Sequence, residues 1–225
     1  MKIISKYSML VMLLFVSFIS FSQTGSNQIL ERTTINSFNL QSKDLVGTSY
    51  INDDFLSAKL IDGEEMYSMR YDAYKDVFEV KRAGEIFYYL PKKFDYPVTF
   101  IDSKKVYQVF LHEKKKKTTS GFFVVLNKGK NGVLLLKEKI NFHEEVKVKS
   151  ELDKYKPPTL KRATDAFFIG YKNNTSTKLP RNKKGFFKLF SSKSKEVKSF
   201  VKKQKLSIKN KEDLIEIFTY YNSLI

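Results

Sequence analysis

The chain has 225 residues, of which 41 are lysine or arginine and 24 are acidic, giving a formal charge of +17, and it has no cysteine. The missing cysteine excludes disulfides, thiolate metal sites, cysteine nucleophiles and an N-terminal lipidated cysteine. The charge favours anionic partners and opposes self-association, yet only Arg32, Arg70, Arg82, Arg162 and Arg181 offer the bidentate fork that phosphate-gripping proteins use.

Lys2 and Lys6 precede an apolar run from Met9 to Ile19, and Ser20 and Ser22 flank Phe21 before Gln23. Small residues at those two places suit a signal peptidase, and the run is shorter than the about 20 apolar residues of a bilayer span. Residues 1–22 therefore read as a removable export signal. Taking 22 residues and two lysines from the chain leaves 203 residues and a charge of +15. A chain of that length buries roughly 70% of its unfolded surface, enough for one domain without a staple. No second apolar segment of spanning length occurs, so the mature chain is expected to be soluble.

Residues 23–46 are polar and aperiodic, a loosely held lead-in. From 47 to 172 the pattern is strand, turn, strand. Tyr67, Met69 and Tyr71 share one face, and Phe78 alternates with its neighbours to share a face with Val80. Ala83-Gly84 marks a turn, Ile86 to Leu90 an aromatic strand, Val98 to Ile101 another, and Asp102 to Lys104 a tight turn. Val106 to Leu111 follows. Phe122 to Leu126 and Val133 to Leu136 flank a turn in which Asn131-Gly132 supplies the positive φ that tight hairpins need. Both runs are apolar without alternation, which predicts a hairpin at the sheet centre, covered on both faces.

Residues 143–160 are charged and contain Pro157-Pro158, so they read as a linker or an excursion from the sheet. Ala166 to Tyr171 is one more strand. Over 181–225 the period becomes helical. Phe186, Phe187, Leu189 and Phe190 cluster, and Val197, Phe200, Val201 and Lys205 keep helical spacing. Asn210, with Asp213 three positions later, caps a helix whose Leu214, Ile217, Phe218 and Tyr221 share a face. The predicted fold is α+β, an antiparallel, curled β-meander of about eight strands followed by two or three C-terminal helices.

Signals for chemistry are sparse. His112 and His143 are too few for a zinc site. His143-Glu144-Glu145 begins like a metalloprotease helix, but Lys147 stands where its second histidine belongs. Nucleophile elbows, phosphate loops and dinucleotide glycine patterns are missing. We therefore assign no catalytic residue, metal or cofactor. A carboxylate-based hydrolase using Asp72, Asp76 and Glu79 remains as an alternative, because carboxylates distant in sequence can meet in space. The plainer reading of Asp53-Asp54, of Asp62 with Glu64 and Glu65, and of Asp72 with Asp76 is that turns recruit aspartate.

The most distinctive stretch is basic. From Lys178 to Lys205 eleven residues are basic and only Glu196 is acidic, so ten of the fifteen mature net charges fall within 28 residues. One reading is an amphipathic helical pair whose lysines face water. The other is a cationic face held against an anionic membrane or envelope protein through Lys183, Lys184, Lys188, Lys198, Lys202 and Lys203. Lys114 to Lys117 form a second cluster at an expected hairpin end. The 33 phenylalanines and tyrosines suit strand cores. In a half-open sheet they would instead line a cavity for an apolar ligand or lipid, with the terminal helices as its lid. Arginine scarcity and the export signal both oppose nucleic acid as a partner.

Three stretches carry a resemblance: Met69-Arg70-Tyr71-Asp72-Ala73-Tyr74 ahead of Val77 to Val80, Gly121-Phe122-Phe123 through Gly129-Lys130, and Tyr220-Tyr221-Asn222. They resemble an uncharacterised family of exported proteins from Bacteroidetes-type bacteria, one with no assigned activity. The resemblance implies a Gram-negative envelope and supplies no catalytic residue. The helical ending does not look like a β-type sorting domain, so the periplasm is the expected location and the extracellular space the alternative. The expected function is a non-enzymatic periplasmic binding or accessory protein, with the apolar-ligand carrier and the hydrolase as alternatives.

Overall fold

Alternation of apolar residues sets the strands of the computed structural model, which describes residues 44–60, 65–81, 87–127, 129–148 and 154–224. The expected export signal, most of the expected lead-in, Ala83-Gly84, Asp62 and Glu64 lie outside those residues. Twelve strands form among the described residues: β1 (Leu56–Leu60), β2 (Met66–Asp72), β3 (Val77–Lys81), β4 (Phe87–Tyr89), β5 (Val98–Phe100), β6 (Val106–Lys114), β7 (Lys117–Val125), β8 (Val133–Lys137), β9 (Ile140–His143), β10 (Thr159–Arg162), β11 (Ala166–Gly170) and β12 (Ser176–Lys178). Helices α1 (Lys183–Lys188), α2 (Ser194–Lys203) and α3 (Lys211–Ser223) follow, with a short 3-10 turn at Ser191–Lys193.

Ten strands make one curled antiparallel sheet in the order β12-β11-β8-β7-β6-β5-β1-β2-β3-β4. The fold is α+β with a meander, as the residue pattern implied, and it holds more strands than the eight or so expected. The strands beyond those expected are β1, whose Ala58 and Leu60 are buried between β5 and β2, together with β9, β10 and β12. In the stretch read in part as a linker, β9 and β10 form a separate ribbon that continues to a Val146–Lys156 bridge. Its lysines and prolines hide an amphipathic pairing in which Ile140 and Leu160 are buried in the largest apolar cluster and Phe142 packs beside them. β12 has only three residues, none of them apolar.

The β7–β8 hairpin lies where three clusters meet. Phe122, Val124 and Leu136 face the largest cluster, Leu134 faces the helices, and Phe123 and Leu135 join Phe110 and Phe168 on the opposite face. Burial on both faces is why these runs lack alternation. β12 also reaches back to β6, where Leu111 N–H donates to Asn174 O at 2.7 Å and Ser176 Oγ donates to Leu111 O at 2.9 Å. Strands β6, β7, β8, β11 and β12 thereby form a nearly closed ring around Phe110, Phe123, Leu135 and Phe168.

Inside the main curl, the rings of Tyr71, Phe78, Phe100, Tyr107 and Phe122 pack with centroids 4.9 to 6.3 Å apart, tilted or edge-on. Each fully buried ring contributes roughly 1.5–3 kcal/mol. These aromatics fill the curl; they do not line an open space. The helices cover β8 and β11 through Phe186, Phe190, Val197, Leu214 and Phe218. Asn222 at the end of α3 fastens them. Its Oδ1 accepts from Asn131 N–H at 3.1 Å, and its Nδ2 donates to Gly132 O at 2.9 Å. A Cβ on Gly129 would fall 2.2 Å from Asn222 Nδ2, so the turn needs glycine there for this close approach.

Candidate functional site

Two short helices build the cationic site. Asn182 caps α1, its side chain accepting from Gly185 N–H at 2.7 Å. That start turns Phe186 and Phe187 inward and leaves Lys183, Lys184 and Lys188 exposed. On α2, Val197 and Val201 are buried while Lys198, Lys202 and Lys203 are exposed. Phe200 stacks flat on Tyr220 of α3 at 3.9 Å, fixing the roll of α2. Lys198 and Lys202, four residues apart, share a helix face.

A groove of about 330 Å³ runs between α1 and the end of α2. Phe187, Val201 and Leu206 form its apolar part, and Lys183, Lys198, Lys202 and Lys205 its basic part. Three of the six lysines singled out in the sequence thus gather at one place. Lys184, Lys188 and Lys203 are exposed outside that lining. Lys205 is an addition, held in the left-handed region (φ 55°) one residue past the α2 C-cap, where Leu206 N–H bonds back to Val201 O at 3.0 Å. Its spacing of seven residues from Lys198 was the available signal.

Neutralisation is scant. Among the described residues, of the eleven basic side chains from Lys178 to Lys205 only Lys193 enters an ion pair, with Glu196 at 3.6 Å. At the Lys114–Lys117 tip Lys115 and Lys116 both take positive φ, and Lys114 adds a small part to the lowering of the His112 and Lys137 pKa values that burial dominates.

Sequence reasoning missed a second polar cluster. Asp76, in the left-handed region (φ 62°) between β2 and β3, accepts from Tyr71 Oη and Lys137 Nζ, each at 2.6 Å, and from Lys92 Nζ at 3.0 Å. Lys137 also donates to Phe122 O at 2.8 Å. A Cβ on Gly121 would stand 2.9 Å from Lys137 Nζ and 3.0 Å from both Asp76 Oδ2 and His112 Nε2. Only a residue without a side chain lets these three groups meet over β7. Burial pushes the Lys137 amine down to about 8 against the pull of Asp76. Burial also raises the Asp76 carboxyl, but Lys137, Lys92 and the hydrogen bonds from Lys137 and Tyr71 outweigh it and leave the carboxyl below its ordinary value. His112 is lowered by burial and by Lys137.

The other two candidate carboxylates have partners of their own. Asp72 accepts from Tyr74 N–H at 3.0 Å and Lys75 N–H at 2.9 Å, the turn role expected of it, and burial raises its pKa. Glu79 accepts from Arg70 Nε at 2.8 Å and from Tyr50 Oη at 3.1 Å, and the Arg70 guanidinium lies 3.8 Å over the Tyr50 ring. Asp72, Asp76 and Glu79 each serve a separate set of donors. Among the described residues, no three His, Asp or Glu side chains gather to hold a metal, and no helix is long and apolar enough to cross a membrane. Comparison of the chain with protein-family models, with curated proteins and with solved structures gives no match.

Proposed function

We propose that this protein is a non-enzymatic accessory protein of a bacterial envelope, most simply periplasmic, that docks on an anionic membrane surface through α1 and α2. One observation carries the reading: Lys183, Lys198, Lys202 and Lys205 surround an apolar floor of Phe187, Val201 and Leu206, and none of the four is ion-paired among the described residues. Lysines beside an apolar strip match the lipid interface, where headgroups meet acyl chains. Each lysine near an anionic lipid contributes about 1 kcal/mol, so four supply useful affinity only together. A nucleic-acid partner fits less well, since the groove's cations are all lysine and its floor is aliphatic and aromatic.

Co-sedimentation of the purified protein with vesicles tests this. Binding to vesicles rich in phosphatidylglycerol is expected, with little binding to pure phosphatidylcholine and release at high salt. The double variant Lys198→Glu/Lys202→Glu, at exposed positions, should lose most of that binding while keeping its melting temperature. Equal binding to both lipids, or unchanged binding by the variant, overturns the proposal, as does tighter association with single-stranded nucleic acid than with the vesicles.

A further inference from the structure

A separate cavity of about 350 Å³ opens between the ends of β11 and β12 and the connector from α2 to α3. Its size falls within the range of small-molecule sites. Half-buried Phe167 and Ile208 and buried Leu179 supply apolar walls, and exposed Lys178, Arg181 and Lys209 stand around them. On the sheet side, Leu179 N–H donates to Phe167 O at 2.9 Å. On the connector side, Asp213 accepts from Ser207 N–H at 2.7 Å and Ser207 Oγ from Lys209 N–H at 3.2 Å. Asp165 also borders the cavity, but its carboxylate lies 3.3 Å from Arg162, which offsets its charge. Lys178, Arg181 and Lys209 enter no ion pair among the described residues.

We infer that this cavity binds a single-chain anionic amphiphile, its apolar body on Phe167, Leu179 and Ile208 and its carboxylate or phosphate head at Lys178, Arg181 and Lys209. An apolar wall alone would accept an alcohol as readily as an acid, and cations alone would accept a free anion. The juxtaposition asks for both halves in one molecule. The connector divides this cavity from the docking groove, bordering the groove with Lys205 and Leu206 and the cavity with Ile208 and Lys209. The inference does not rest on membrane docking, because the two sites share no residue.

Calorimetric titration of the purified protein with decanoate, decanol, decyltrimethylammonium and acetate, all below micelle formation, tests it. Saturable binding of one decanoate is expected, with the other three at least about tenfold weaker. Arg181→Glu/Lys209→Glu should weaken decanoate about tenfold, whereas Lys198→Glu/Lys202→Glu should leave it within about twofold. Both pairs change the net charge by the same amount, so a difference between them reports position and not total charge. Decanol binding as well as decanoate overturns the inference. So does equal weakening by the two pairs, or the lack of saturable decanoate binding. Vesicle binding that survives any of these results leaves the docking proposal standing, and its loss leaves the amphiphile site standing.

Discussion

Lys137 Nζ lies 2.6 Å from Asp76 Oδ1, joining β8 to the β2–β3 turn across 61 residues of chain. The pair is mostly buried, with side-chain exposures of 13% and 19%, so water screens it little.

Asp76→Asn keeps the side-chain shape and strands the lysine. Loss of one partner from a buried pair costs on the order of 3 kcal/mol. The cost should depend on pH. The Asp76 carboxyl is held below its ordinary value, so its contribution is complete above about pH 4 and lost as pH falls through its folded value. On the alkaline side, Lys137 sheds its proton near 8, and the attraction goes with it. Urea unfolding across pH should therefore show the largest difference between wild type and variant in the window between those limits. A difference that is constant from acid to alkaline pH contradicts the ion-pair account.

His112 reports on the same cluster. Burial and then Lys137 lower its pKa, while Asp76 raises it. Lys137→Met removes the second lowering influence, so the His112 midpoint should move up. Asp76→Asn removes the raising influence and should move it down. With two histidines in the chain, His112→Gln assigns the imidazole resonances in an NMR titration. A His112 midpoint that stays put in Lys137→Met would show that the two side chains do not sense each other.

Reading residues 1–22 as an export signal makes a mass prediction. Expressed in a Gram-negative host, the protein recovered from the periplasm should begin at Gln23, by N-terminal sequencing and intact mass. Ser22→Arg should block processing and leave a longer precursor in the membrane fraction. Recovery of the full 225-residue chain from the cytosol contradicts the location proposed above.

The elements easiest to read were those whose burial is one-sided or complete. Tyr67, Met69 and Tyr71 alternate because one face of β2 meets the aromatic core, and Asn210 caps α3 by accepting from Asp213 N–H at 2.9 Å, as its spacing implied. β12 escaped notice because its three residues are polar, and the β9–β10 ribbon because its few apolar residues, Ile140, Phe142 and Leu160, stand among charges and prolines. The Asp76, His112 and Lys137 cluster escaped for another reason. Its members come from a turn and two strands, and the feature that admits them is the lack of a side chain at Gly121. Among the six candidate lysines, helical spacing placed Lys198 and Lys202 together. Only the packing of α1 against α2 added Lys183 and separated Lys184, Lys188 and Lys203.

Periodicity and caps by themselves determined the α+β class, the doubly covered β7–β8 hairpin, the C-terminal helices and where the positive charge concentrates, because each depends on neighbours within a few residues. Tertiary structure alone decided that the aromatic rings fill the curl, which lysines border the groove, and that Asp76 answers to Lys137 and Lys92. Those outcomes depend on strand register and on how the sheet bends, which set distances between residues that no local pattern connects.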